Sequence, residues 1–115
     1  MKALLLENIH PDGVRLLTER GIAVESVPGA LDEAELAAAL PGFQLLGIRS
    51  KTTVTRAVLD SAADLLAVGA FCIGTNQIDL AAAADRGTVV FNAPFSNTRS
   101  VVELVIAEIL SLIHI

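Results

Sequence analysis

Five short runs dominated by apolar residues recur along the chain, and polar or turn-forming residues separate them. Runs of this length, without helical spacing of the apolar positions, are typical of strands buried in a sheet. The pattern therefore predicts strands over Ala3–Leu6, Ala23–Val27, Phe43–Ile48, Leu65–Gly69 and Thr88–Phe91.

Helix start and stop signals lie between these runs. A proline at the start and a glycine at the end bound the first helix. Asp32 begins the second, with Glu35 three residues on in capping-box position. Thr55 and Asp79 are N-cap residues of the next two helices, and Gly87 closes the last of them. The signals predict helices over Pro11–Arg20, from Asp32 through Leu40, over Arg56–Ala63 and over Leu80–Arg86.

This alternation of strands and helices predicts the α/β class, with a parallel sheet that helices cover on both faces. In such sheets ligands bind beyond the carboxyl ends of the strands. The polar residues of this chain collect there, in the segments Glu7-Asn8, RSKT (49–52), FCIGTNQ (71–77) and NAPFSNTR (92–99). The expected site is this edge of the sheet.

The segment Arg49-Ser50-Lys51-Thr52 follows the third predicted strand and combines a guanidinium, an ammonium and two hydroxyls. These groups suit a carboxylate or a phosphate. A plain alternative is a solvated strand end whose arginine pairs with a surface acid. Both interpretations are compatible with the residues alone.

The other two loops are less specific. Gly69–Asp79 has glycines that would let the backbone approach an anion, but it is neither a G-x-G-x-x-G fingerprint nor a P-loop, so a tight turn is favoured. Cys72 has no histidine nearby in sequence and is expected to be a half-buried thiol. In the Asn92–Ser100 loop, Asn92, Asn97 and Arg99 could contact a ligand or only cap and brace the turn.

No set of residues points to metal binding or to an acid–base pair, because the chain has two distant histidines and one cysteine. A phosphoacceptor receiver domain has a similar length and the same alternation of elements. That class wants an aspartate at the end of its third strand, where this chain has Arg49. The receiver interpretation is therefore disfavoured.

Composition narrows the classes further. A net charge of −5, with eight scattered Lys and Arg residues, argues against a nucleic-acid binder. The single cysteine fits a reducing, cytoplasmic compartment.

The first apolar run is too short for a signal peptide. The late apolar stretch from Val101 contains Glu103 and Glu108 and is shorter than a membrane span, so it is expected to be a helix, opened by a capping box at Ser100–Glu103.

Residues 47–55, GIRSKTTVT, and the long run from FCIGTNQIDL to RGTVVFNAPFSNTRSVVELVI resemble the D-isomer-specific 2-hydroxyacid dehydrogenase family, in particular its members that act on 3-phosphoglycerate. The resemblance extends from Leu4 to about Ile109. It implies a flavodoxin-like substrate-binding domain of an NAD-dependent enzyme that oxidises 3-phosphoglycerate to 3-phosphohydroxypyruvate in serine biosynthesis. The small-molecule substrate is then the expected partner, and a homo-oligomer is expected for the full-length protein.

The same resemblance assigns roles to residues. It implies that Arg49, Ser50, Lys51 and Asn97 bind substrate, and that Cys72, Ile73 and Gly74 form the cleft wall on the nicotinamide side, largely through their backbone. The family's LRSRT-type segment appears here as IRSKT, so that Lys51 stands where the family resemblance implies a second arginine. A point charge there replaces a planar fork, which is expected to weaken phosphate binding without abolishing it.

The resemblance also implies that the nucleotide-binding domain and the catalytic Arg, Glu and His follow this region in the family. The expected organisation is a substrate-binding domain over residues 1–99 and the start of an interdomain helix over 100–115, with no catalytic residue and no dehydrogenase activity in the chain alone. NAD would be bound mainly by the domain that follows. Another dehydrogenase of the family and a stand-alone anion-binding α/β module are the alternatives.

The last six residues, Leu110–Ile115, are also what the mosaic-end sequence of a transposase-based library adapter encodes. They are therefore expected to be adapter-derived and not natural protein. A genuine apolar helix end is the alternative. The source DNA beyond the codon for Ile109 distinguishes the two.

Overall fold

The computed structural model describes residues 1–9, 11–72, 74–92 and 111. Within these residues five strands alternate with four helices. The strands are β1 (Lys2–Leu5), β2 (Ala23–Ser26), β3 (Leu45–Ile48), β4 (Ala67–Ala70) and β5 (Val89–Asn92). The helices are α1 (Pro11–Glu19), α2 (Glu33–Ala39), α3 (Arg56–Ser61) and α4 (Leu80–Arg86).

The five strands form one sheet in the order β2-β1-β3-β4-β5, and every neighbouring pair is parallel. The predicted α/β class with a parallel sheet is confirmed, and the strand order is that of flavodoxin-like folds. β3 and β4 are buried along their whole length, as expected for central strands with helices on both sides.

Two apolar clusters lie on the two faces of the sheet. Successive side chains of a strand point to opposite faces, so Leu4 and Leu5 of β1 belong to different clusters. Leu4 packs with residues of α2, α3 and α4, among them Leu36 and Val58. Leu5 packs with Leu17 of α1. Helices therefore cover both faces, three of the four described ones on one face and α1 on the other.

The caps predicted from local sequence are confirmed. Asp32 accepts from the backbone N–H of Glu35 at 2.8 Å, and the Glu35 carboxylate accepts in return from the N–H of Asp32 at 3.1 Å. Thr55 and Asp79 cap α3 and α4 in the same direction. Gly87 ends α4 in the left-handed conformation, with φ of 73°.

Element boundaries differ from the prediction by one or two residues. Phe43 and Leu65 were predicted to begin strands, but their N–H groups donate to Leu40 and Ala62 in the turns that end the preceding helices. Apolar content alone does not separate a strand from the buried turn that leads into it. The predicted capping box at Ser100–Glu103 and the helix it opens lie outside the described residues. Among the described helices none is long and apolar enough to span a membrane.

Candidate functional site

The strand order reverses between β1 and β3, so this is the place where the loops beyond the sheet diverge and leave an opening. β1 continues through α1 to β2 on one side, while β3 pairs with β1 on the other. Arg49 follows β3 directly, and Glu7 lies two residues beyond the end of β1. The topology therefore brings an acidic and a basic segment to the same edge.

A cleft of about 260 Å³ opens at this edge. It is lined by the loops after β1, β2 and β3, through Glu7, Pro28, Gly29, Ala30, Arg49, Ser50 and Lys51. The three described residues predicted to bind substrate, Arg49, Ser50 and Lys51, thus line one cleft. All three are exposed, so their side chains are accessible to a ligand.

Neither cation of the cleft forms an ion pair with a carboxylate of the described residues. The ion pairs within the described part of the chain involve Arg15, Arg56 and Arg86, and neither Arg49 nor Lys51 has a carboxylate within 4.0 Å there. The alternative of an arginine paired with a surface acid finds no support among these residues. The arrangement can accept an anionic group from solution.

The sequence places Glu7 at this edge of the sheet and assigns it no role. In the structure its carboxylate binds the backbone of the turn that carries the cations. Its side chain is turned inward, and the residue is only 8% exposed. One carboxylate oxygen accepts from the N–H of Arg49 at 2.6 Å and from that of Thr52 at 3.2 Å, and the other accepts from the N–H of Lys51 at 2.8 Å. A carboxylate bound by several N–H groups is a strong, charge-assisted acceptor.

The backbone at Glu7 and Asn8 is unusual. Both residues have positive φ, 62° and 55°, although neither is glycine. Such a conformation is uncommon for glutamate and is held only where surrounding contacts fix it. Here the N–H of Glu7 donates to the carbonyl of Gly29 at 3.1 Å, and that of Asn8 donates to the carbonyl of Val27 at 3.3 Å. The loop after β2 thus holds the turn that carries Glu7.

Thr52 corrects one expectation. The sequence offered its hydroxyl as a second ligand-binding hydroxyl, but Thr52 is fully buried and does not line the cleft. Its Oγ1 has no hydrogen-bond partner among the described residues. Of the two hydroxyls in the segment, only that of Ser50 is available to a ligand in the cleft.

Cys72 and Gly74 are not among the residues that line this cleft. The Cys72 thiol donates to the carbonyl of Gly74 at 3.1 Å and is half-buried, as the sequence predicted. Gln77 joins this loop to the cleft, since its Nε2 donates to Cys72 Sγ at 3.3 Å and to the carbonyl of Arg49 at 3.0 Å. Ile73 and Asn97, also predicted site residues, lie outside the described residues.

Sequence reasoning missed the parts played by Glu7, by Gln77 and by the Pro28–Ala30 loop. The partners of Glu7 are 42 to 45 residues away, so no local pattern identifies them. Gln77 lies in a loop that the sequence places at this edge of the sheet, but no role was assigned to Gln77 itself. Within the described residues no group of three His, Cys, Asp or Glu side chains could hold a metal ion.

The amino-acid sequence of the chain is similar to those of known proteins along nearly its whole length. The profile of the D-isomer specific 2-hydroxyacid dehydrogenase catalytic domain matches residues 3–109. The chain is 52% identical over 112 residues to D-3-phosphoglycerate dehydrogenase 1 of Saccharomyces cerevisiae, an alignment that covers 97% of the chain and 24% of that protein. It is 49% identical over 115 residues to D-3-phosphoglycerate dehydrogenase of Escherichia coli, covering 99% of the chain and 28% of that protein.

The chain therefore spans about a quarter of the length of these relatives. Among solved structures, the TT0316 protein from Thermus thermophilus matches with a TM-score of 0.76 and 28% sequence identity. That match covers 82% of this chain and 30% of the Thermus chain.

Proposed function

This chain belongs to the D-isomer-specific 2-hydroxyacid dehydrogenase family, and on that premise we propose that it is the substrate-binding part of a D-3-phosphoglycerate dehydrogenase. The observation that carries the proposal is the cleft beyond β1 and β3, in which two cations without acidic partners among the described residues face solvent. The relatives at about half identity, named as D-3-phosphoglycerate dehydrogenases, supply the substrate class.

In this proposal the cleft binds the anionic groups of 3-phosphoglycerate. Arg49 offers a planar fork that bonds a carboxylate or phosphate at two points, and Lys51 adds an ammonium two residues on. Ser50 contributes a hydroxyl from the same turn. Asn97, outside the described residues, is proposed as a further polar contact to substrate. No residue of this chain is proposed as a catalytic acid, base or nucleophile.

The cofactor proposed is NAD, which when bound would supply a hydride acceptor for oxidation of the substrate's hydroxyl-bearing carbon. The residues present fit one edge of such a cofactor and no more. Gly74 has no atom within 4 Å of the place where a Cβ would stand, so the backbone there can be approached closely. Cys72, Ile73 and Gly74 are proposed as the wall on this side. The chain has no G-x-G-x-x-G segment to hold the pyrophosphate.

A chimera tests the proposal directly. Residues 1–109 of this chain replace the matching segment of the Escherichia coli relative, with which the chain is 49% identical over its length. We expect NAD reduction with 3-phosphoglycerate and none by the 115-residue chain alone. Arg49→Leu in the chimera should raise the KM for 3-phosphoglycerate by at least about tenfold, since a bidentate charged contact is lost.

Two controls make the result specific. Arg20→Leu removes an exposed arginine that is not among the residues lining the cleft and should leave the KM unchanged. A folded chimera that oxidises another 2-hydroxy acid, but not 3-phosphoglycerate, would assign this chain to a different dehydrogenase of the family. If the 115-residue chain binds 3-phosphoglycerate while the folded chimera is inactive on every 2-hydroxy acid tried, the chain is an anion-binding module instead.

The proposal has two cellular corollaries. As part of a biosynthetic enzyme with a free thiol at Cys72, the protein is proposed to be cytoplasmic. The full-length protein is proposed to form a homo-oligomer. Fractionation of cells that express a tagged full-length protein tests the first, and light scattering of the purified full-length protein tests the second.

A further inference from the structure

The main chain of Arg49 is held on both sides. Its N–H donates to Glu7 Oε2 at 2.6 Å, and its carbonyl accepts from Gln77 Nε2 at 3.0 Å. The two side chains come from different loops, one after β1 and one after β4. Each of the two backbone polar groups of Arg49 therefore has a side-chain partner, and the exposed side chain is left available at the cleft that Arg49 lines.

Glu7 does more than hold one residue. Its two oxygens accept the N–H groups of Arg49, Lys51 and Thr52, which form three of the four amides of the turn. A turn with several free N–H groups would itself bind an anion. Here the Glu7 carboxylate already accepts hydrogen bonds from those groups. The groups that remain for a ligand anion are the side chains of Arg49, Ser50 and Lys51.

The placement of this carboxylate has an electrostatic consequence. A negative charge in the lining of an anion-binding cleft repels the ligand, so Glu7 weakens binding by its charge alone. However, Glu7 makes three hydrogen bonds to the turn and has a left-handed backbone conformation. These features indicate that it fixes the geometry of the two cations. The two effects have opposite signs, and a neutral variant separates them.

Gln77 holds the same turn from the side of β4. Its amide nitrogen bridges the Arg49 carbonyl and Cys72 Sγ, so it couples the cleft to the loop proposed to face the nicotinamide. The backbone adds a second link nearby. The N–H of Val54 donates to the carbonyl of Gln77 at 2.8 Å, and that of Asp79 donates to the carbonyl of Val54 at 2.9 Å. The side-chain bridge can thus be removed while the backbone connection remains.

We infer that Glu7 and Gln77 are positioning residues, which fix the main chain of Arg49 between them so that its guanidinium and the Lys51 ammonium are presented together to the substrate anion. This inference rests on the proposed function, because it names what organises that site. It predicts that neutralising Glu7 lowers anion affinity, whereas charge repulsion alone would predict a higher affinity.

The test uses the ¹⁵N-labelled 115-residue chain and its Glu7→Gln variant, titrated with 3-phosphoglycerate and followed by NMR. The matched control is Glu25→Gln, which removes the same charge from an exposed position on β2. In Glu7→Gln, the amide protons of Arg49, Lys51 and Thr52 should move upfield and exchange with solvent faster, on the order of tenfold or more, because a strong acceptor is lost. The Kd should rise on the order of tenfold.

Gln77→Met gives a second arm that leaves the charge unchanged. It removes the donor to Arg49 and should weaken 3-phosphoglycerate binding several-fold, while the Lys51 and Thr52 amides keep their exchange rates. This pattern separates positioning of Arg49 from general loosening of the fold, which would accelerate exchange throughout the sheet.

The outcomes are distinct. Faster exchange at the three amides together with weaker binding supports the inference, provided that Glu25→Gln changes neither. Equal or tighter binding by Glu7→Gln overturns it and leaves the proposed function standing. If the unsubstituted chain and the chimera both fail to bind 3-phosphoglycerate, the proposed function fails and the positioning role falls with it.

Discussion

Gly47, in the middle of β3, offers a sharp test of how tightly the sheet is packed beneath the cleft. A Cβ added there would lie 2.5 Å from Leu5 Cδ2, 3.0 Å from Ile9 Cδ1 and 3.1 Å from Phe71 Cε1. Contacts between carbon atoms are optimal at about 3.5–4.0 Å. Gly47→Ala therefore requires the Leu5 methyl group to move by about 1 Å.

The surroundings leave little room for that movement. Leu5, Ile9 and Phe71 are 2%, 4% and 6% exposed, so none can swing into solvent. Overpacking of a buried site of this kind costs about 1–3 kcal/mol. Replacing glycine by alanine in a strand returns about 0.5–1 kcal/mol through backbone entropy. The expected net effect is therefore a loss of about 0–2.5 kcal/mol in the free energy of unfolding, centred on about 1 kcal/mol.

Urea unfolding followed by far-UV circular dichroism measures this difference, because the chain has no tryptophan or tyrosine for fluorescence. The control is Gly29→Ala, where an added Cβ meets nothing within 4 Å and φ is not in the left-handed region. That variant should be neutral or more stable by up to about 1 kcal/mol. Equal stability of the two variants would show that the packing at Gly47 is not as close as the distances indicate.

Two further predictions concern the turn after β3. Lys51→Arg in the chimera should lower the KM for 3-phosphoglycerate several-fold with kcat little changed, because a planar fork replaces a point charge at the cleft. A KM that stays the same would place Lys51 away from the phosphate. Thr52→Val should keep the free energy of unfolding or raise it by about 1 kcal/mol, since it removes a buried hydroxyl with no partner among the described residues. Urea unfolding checks it, and a loss above about 1 kcal/mol would mean that the hydroxyl is bonded in solution.

The features of the fold that could be predicted from sequence are those set by neighbours along the chain. A capping box needs only Asp32 and Glu35, three residues apart, and a helix stop needs only Gly87. The parallel sheet followed from alternating elements. Strand starts were less well predicted, because buried turns at Phe43 and Leu65 have the same apolar character as the strands they lead into.

The sequence predicted the cations of the cleft but not the role of its acid. Both outcomes have one cause, since only interactions between neighbours along the chain can be recognised in a sequence. Arg49 and Lys51 are recognisable in the sequence as neighbouring cations at the end of an apolar run. Glu7 is a single acid after a strand, and its importance comes from amides 42 to 45 residues later. No periodicity or spacing encodes that meeting. It arises only when β3 pairs with β1 in register, with Leu5 opposite Gly47.

A buried strand ending in cations therefore has a physical explanation that joins fold to site. Pairing of β3 with β1 brings the turn after β3 beside Glu7, and the carboxylate takes the amides that would otherwise be left without partners at the end of the strand. The acid satisfies the backbone, so the side chains of Arg49 and Lys51 have no internal anion to bind among the described residues. The same interaction that ends the strand leaves both exposed side chains available at the cleft that these residues line, which is why anion binding there should depend on Glu7 as much as on the cations.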